Sequence, residues 1–188
     1  MVISKNIQSI FTLKEFLKQP ETKPAKEYVE GIIYQKPMPQ GEHSILQMRL
    51  GTAINNISLP NKLAYAFPEL RCSFSGRSIV PDLAVFYYSR IPRTPEGKIV
   101  NKFDIYPDWI IEILSPEQSA NQVIKKILFC LKHGTELGWL IDSQDQSVMI
   151  FSPNKLPEIL SESASLPALS NLENWQLTVQ ELFDWLII

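Results

Sequence analysis

Apolar positions recur along this chain with the period of a helix in some stretches and of a strand in others. Across residues 42–57, Ile45, Leu46, Met48, Leu50, Ala53, Ile54 and Ile57 follow helical spacing. Residues 63–72 and 79–88 read as two strands joined by the turn 73–78 around Gly76. Val80, Asp82, Ala84 and Phe86 share one face of the second. Residues 108–114 are apolar at successive positions, which predicts a central strand buried from both sides. Residues 137–142 and 147–151 form two further strands, a hairpin across the polar turn 143–146. Residues 26–37 predict a strand pair or a bent strand around Gly31.

Helix boundaries come from capping chemistry. Thr12 with Glu15 opens a short helix that Pro20 must end, and Thr178 with Glu181 opens a last amphipathic one through Leu182, Phe183, Trp185 and Leu186. Ser115, followed by Pro116 and then Gln118, predicts a capped helix over 116–132. Residues 37–41 and 154–172 read as loops, and residues 90–106, with Pro92, Pro95 and Gly97, as a surface excursion of flap-like composition. There is no internal repeat. Taken in order, residues 42–142 alternate helix, three strands, helix, strand, an α/β arrangement.

Composition narrows the class. With 188 residues the chain is long enough for a proper core, and a single domain over residues 1–188 is expected. Hydrophobic residues at 45% and charged residues at 20% are the balance of a soluble globular protein. A formal net charge of −2 argues against a protein that coats nucleic acid, while leaving room for an enzyme that meets it over a small basic patch. Cys72 and Cys130 are too few for a disulfide framework, and the 2 histidines rule out a zinc-type cluster. Residues 1–10 are too short and polar for a signal peptide, and no apolar run reaches membrane length. A cytoplasmic protein without membrane association is expected.

Glu112 interrupts the strand 108–114. A buried carboxylate needs a cation, a donor or a raised pKa. It lies near the carboxyl end of a core strand, where open α/β sheets place their sites. Asp82 stands on a neighbouring core strand with matching parity. On a helical wheel Val123, Ile124, Ile127, Leu128 and Leu131 form the apolar stripe, Lys125 and Lys132 fall on the wet side, and Lys126 falls between Phe129 and Cys130, so that its ammonium points inward. Glu27 and Glu30 differ by an odd number, so only one of them can face a given site. His43, in a first helical turn, is expected to be a surface or capping residue. Two converging carboxylates suit a hard divalent cation such as Mg²⁺, which accepts one or two carboxylates together with water and phosphate oxygens. The same residues also suit a structural ion-pair cluster.

The chain resembles the Uma2 family of the PD-(D/E)XK restriction-endonuclease-like superfamily, over residues 12–187. The resemblance rests on Glu27-Tyr-Val-Glu-Gly31, His43, Pro81-Asp82-Leu-Ala-Val, Pro107-Asp108-Trp-Ile-Ile-Glu112-Ile-Leu-Ser115-Pro116, Lys126 and Gly134-Thr-Glu-Leu-Gly-Trp139-Leu-Ile-Asp142. It implies a restriction-endonuclease-like core with a central mixed β-sheet flanked by helices. It also implies a DNA endonuclease dependent on Mg²⁺ or Mn²⁺, with Asp82 and Glu112 as metal ligands, Lys126 as the assisting lysine and Glu27 rather than Glu30 as the auxiliary carboxylate. Leu114 occupies the position where the superfamily motif carries its lysine, so the resemblance places that lysine on the helix, at Lys126. DNA is the expected partner, and a homodimer is an admissible assembly. The competing expectation is a non-catalytic binding or assembly module that keeps this fold and uses the same residues as ion pairs.

Overall fold

The computed structural model describes residues 11–116, 118–172 and 174–187. Its elements are helix α1 (Leu13–Phe16), strands β1 (Lys26–Val29) and β2 (Ile32–Gln35), helix α2 (Gly41–Ser58), strands β3 (Ala64–Pro68), β4 (Cys72–Phe74), β5 (Arg77–Ile79), β6 (Leu83–Tyr87) and β7 (Trp109–Ile113), helix α3 (Ala120–Lys132), strands β8 (Leu137–Asp142), β9 (Ser147–Phe151) and β10 (Glu158–Ser161), and helix α4 (Val179–Asp184). Six strands form a mixed sheet in the order β10-β9-β8-β7-β6-β3, and four form a second sheet in the order β2-β1-β5-β4. Only β7 and β8 pair in parallel within the six-stranded sheet, and α3 connects them. This is the α/β class, with a mixed sheet flanked by helices, that the sequence predicts.

The six-stranded sheet is covered on both faces. Leu46, Leu50 and Ile54 of α2 and Leu182 and Phe183 of α4 pack with Val85, Trp109, Ile111 and Trp139 on one face. On the other, Val123, Ile127 and Cys130 of α3 meet Ala84, Phe86 and Ile110, together with Phe74 and Ile79 of the smaller sheet. Each fully buried aliphatic side chain of this kind stabilises by about 1.5–3 kcal/mol. Gly138 sets how closely α3 approaches: a Cβ there would stand 2.4 Å from Ile127 Cγ2, so any side chain would push the helix off β8. That approach is what allows a residue on α3 to reach the sheet.

Several local expectations are corrected. The two strands expected over 63–72 and 79–88 are four. β3 and β6 pair in the large sheet, and β4 and β5 form a hairpin of the small one, turned at Ser75 and Gly76 with φ of 47° and 80°. The chain changes sheet around Pro68–Glu69, where Glu69 has φ 48°, and again at Pro81, which has no N–H for a ladder. Residues 26–37 resolve into a hairpin turned at Glu30 and Gly31, with φ of 52° and 85°.

The helix expected from residue 116 begins at Ala120, with Ser119 as N-cap. Gln118 does reach back to the Ser115 N–H, at 3.4 Å, but the turn closes there (Gln118 N–H to Ser115 O, 2.9 Å) and Ser119 restarts the chain in extended backbone. Residues 154–172 contain β10, an edge strand with no buried face to impose alternation. Residues 90–106 are no flap: Phe103 is buried between Phe67 and Phe86, and its carbonyl accepts from Ser73 N–H at 2.9 Å. Met48 and Leu128, apolar by period, are 66% and 48% exposed.

Candidate active site

The antiparallel register of β6 and β7 pairs Leu83 with Ile111, so Asp82, one step before β6, stands across from Glu112 on the α3 side of the sheet. The Ile113 N–H donates to Asp82 Oδ2 at 2.8 Å, which fixes the aspartate against the neighbouring strand. Asp82 Oδ1 accepts from Lys36 Nζ at 2.6 Å, and Oδ2 lies 3.2 Å from His43 Nε2. Lys36, just beyond β2, also donates to the Val80 carbonyl at 2.9 Å.

Lys126 Nζ donates to Glu112 Oε2 and to Glu27 Oε1, each at 2.9 Å. Glu27 Oε1 also accepts from the Val80 N–H at 2.8 Å. The structure thus brings all four expected site residues, Asp82, Glu112, Lys126 and Glu27, into one buried cluster contributed by both sheets and α3. Glu30, on the turn, pairs instead with Arg77. Lys125 is exposed, as the wheel predicts. Asp108 belongs elsewhere: it accepts from the Tyr87 N–H at 2.8 Å and pairs with Arg90, a structural role.

Two members of the cluster escape the sequence reading. Lys36 sits beside Pro37 at the end of an exposed strand, and nothing in its spacing marks it as buried. His43 is only 7% exposed, contrary to the expectation of a surface or capping residue. Its signal was present: positions 43, 46, 50 and 54 share one helical stripe, which carries His43 down with Leu46, Leu50 and Ile54.

Electrostatics separate the two facing carboxylates. Burial opposes ionisation of Asp82, but the Lys36 ammonium and the His43 contact outweigh it and hold the carboxyl below the usual range. Burial acts on Glu112 too, and the charges of Asp82 and Glu27 add to it; Lys126 compensates only in part, and the pKa rises to about 8. Burial would lower the pKa of Lys126, yet the surrounding carboxylates raise it. Two ammonium groups, Lys36 and Lys126, therefore face Asp82, Glu112, Glu27 and, at 3.7 Å from Lys36, the part-exposed Glu69, and a proton on Glu112 eases the excess of negative charge. This arrangement keeps one carboxylate ionised and its neighbour protonated near neutral pH.

The donor set of Asp82 and Glu112 is all oxygen, the kind a hard divalent cation takes. Glu112 Oε1 is a buried oxygen of that pair without a hydrogen-bond partner, the others being held by Lys36, His43, the Ile113 N–H and Lys126. Among the described residues no three His, Cys, Asp or Glu side chains converge closely enough to hold a metal by themselves. A site of two carboxylates completed by water and phosphate oxygens needs no third.

The chain matches the Uma2 family, described as "putative restriction endonuclease", over residues 13–180. It belongs to the Uma2 family. Its fold is similar to the crystal structure of a "putative nuclease belonging to DUF820" from Anabaena variabilis ATCC 29413, with a TM-score of 0.93 and 52% sequence identity, covering 94% of this chain and 99% of that one. No curated protein matches the chain. Uma2 membership and this neighbour support a nuclease-like function. Among the described residues no helix is long and apolar enough to cross a membrane.

Proposed function

We propose that this Uma2 protein is a DNA endonuclease that hydrolyses phosphodiester bonds with the help of Mg²⁺ or Mn²⁺. The observation that carries this reading is the convergence of Asp82, Glu112, Glu27 and Lys126 beside an open groove that Glu27, Lys36 and Lys126 line. Asp82 and Glu112 would hold the metal, which supplies a more acidic water and offsets negative charge on phosphorus.

The remaining work falls to the chain's own side chains. Lys126 has three N–H donors, and Glu112 and Glu27 occupy two, leaving the third for a phosphate oxygen or for the attacking water. Glu27, held by the Val80 N–H, fixes the direction of that ammonium. Lys36 and His43 keep Asp82 ionised and oriented. In the reaction a water oxygen bonds to phosphorus, the ester P–O bond breaks, and the proton lost by water ends on the leaving hydroxyl.

A second reading is a binding or assembly module in which the same residues are only ion pairs. The Lys36–Asp82 contact, short and buried, favours it. Incubating supercoiled plasmid and a circular single strand with the protein and Mg²⁺ or Mn²⁺ tests the two, with chelator and Asp82→Ala as controls. Cleavage of either circle that requires metal and Asp82 supports the nuclease, and both circles intact under all conditions supports the module.

A further inference from the structure

The groove above the site carries features that the hydrolytic chemistry leaves unused. It has a volume of about 1130 Å³ and is walled by β1, β2, the Ser75–Arg77 turn and α3. Five lysine or arginine side chains line it against two carboxylates, in a chain whose formal net charge is −2. Glu27 is taken by Lys126 and Glu30 by Arg77. Lys125 and Lys132 are exposed and face no carboxylate among the described residues. They share one face of α3, two turns apart at i and i+7. Positive charge is thus concentrated where a polyanion would run.

The walls are also apolar. Tyr34 of β2 is 39% exposed and Leu128 of α3 is 48% exposed, and both line the groove. Phosphate and sugar give such side chains little to contact, whereas an unpaired base offers a flat apolar face. Beneath them the site is recessed: Glu27 and Lys126 line the groove, while Asp82 and Glu112, 2% and 1% exposed, do not line it and connect to it through Lys126 and Lys36. A duplex is stiff and keeps its bases stacked inside, while a single strand can lower one phosphate to the floor and lay a base on the wall.

From the combination we infer that the groove takes a single-stranded polynucleotide, with Lys125 and Lys132 tracking its phosphates and Tyr34 stacking a base. This rests on the nuclease reading of the same site and names its substrate class. Lys125, on the wet side of its helix, then acts in binding rather than in bond cleavage.

The test is fluorescence anisotropy of the full chain, with chelator present, on a labelled mixed-sequence 12-nucleotide single strand and on the duplex of the same sequence. The single strand should bind at least about tenfold more tightly. Tyr34→Ala should weaken it by about tenfold without changing the salt slope, and Tyr34→Trp should restore it, which separates stacking from a folding defect. The Lys125→Ala/Lys132→Ala pair should lower the slope of log affinity against log salt by about 1.4. Equal or tighter duplex binding, or an inert Tyr34→Ala, overturns the proposal. So does concentration-dependent self-association that Tyr34→Ala abolishes while strand affinity is unchanged, since the face would then join copies of this chain. Metal-dependent, Asp82-dependent cleavage of duplex alone sinks this inference and spares the nuclease. Single-strand binding without any Asp82-dependent cleavage does the reverse.

Discussion

Lys36 Nζ lies 2.6 Å from Asp82 Oδ1, an ion pair that is almost wholly out of solvent. It makes the two facing carboxylates unequal, because Glu112 shares the ammonium that contacts it, Lys126, with Glu27. Simple repulsion between Asp82 and Glu112 would make removal of either charge stabilising. The pairing splits that outcome. Asp82→Asn leaves the buried Lys36 with only the part-exposed Glu69, 3.7 Å away, as counter-charge and should destabilise by up to about 3–5 kcal/mol. Glu112→Gln leaves Lys126 on Glu27, mimics the protonated side chain and should be more stable than the parent at pH 7, by up to about 3 kcal/mol. Denaturant midpoints at pH 7 with chelator decide it, and losses of equal size would show that Glu112 is ionised and paired like Asp82.

Lys126 and Lys125 are adjacent in sequence and opposite in role. Lys126→Ala removes the ammonium bound to Glu112 and Glu27 and should reduce kcat for metal-dependent DNA cleavage by about 100-fold or more. Lys125→Ala should raise KM by severalfold and leave kcat alone, because its side chain meets the groove and not the carboxylates. Steady-state kinetics on both variants check this. A fall in kcat on Lys125→Ala would reverse the assignment.

The large sheet was legible because its strands are buried on one or both faces, so their period is written in Val, Ile, Leu and Trp. Asp82, Glu112 and Lys126 could be placed for the same reason: each is a polar residue set in an apolar register that tertiary structure had to resolve. Lys36 was illegible because its burial depends on a second sheet folding across the first, a long-range contact that leaves no mark on the local pattern. β10 was missed because its pairing is purely backbone. The late start of α3 at Ala120 was missed because a Ser-Pro-x-Gln turn and a capped helix share the same first residues.

The raised pKa of Glu112 has a definite signature in stability. Its folded value is about 8 against 4.5 for the unconstrained group. The folded state therefore holds a proton that the unfolded chain has released between these values. The stability it contributes is complete below about pH 4.5, declines as pH rises toward about 8 and is gone above it, with a slope near 1.4 kcal/mol per pH unit at most. Asp82, held low by Lys36, acts in the opposite sense and matters only at acid pH below this window. Glu112→Gln carries no titrating proton, so its stability relative to the parent should rise from pH 5 to 8 and then level off. Urea midpoints of the two proteins across that range, with chelator, measure the difference. A constant difference would mean that Glu112 is already ionised at pH 5.

The same proton couples metal binding to pH. If Asp82 and Glu112 hold Mn²⁺, Glu112 must ionise as the metal binds, and below about pH 8 each pH unit should weaken apparent affinity by up to about tenfold. A ligand that binds only the folded state stabilises by RT ln(1 + [L]/Kd), so thermal stabilisation by a fixed Mn²⁺ concentration should grow from pH 6 to 8 and flatten beyond. Glu112→Gln has no proton to release and one charge fewer, so its Mn²⁺ stabilisation should be small and independent of pH. Asp82→Asn should also lose most of the stabilisation, starting from a lower melting temperature. Differential scanning fluorimetry of the three proteins, with and without Mn²⁺ at each pH, reads all of this without any nucleic acid present. Stabilisation equal in the parent and in Glu112→Gln would place the ion elsewhere and remove the metal from the proposed site.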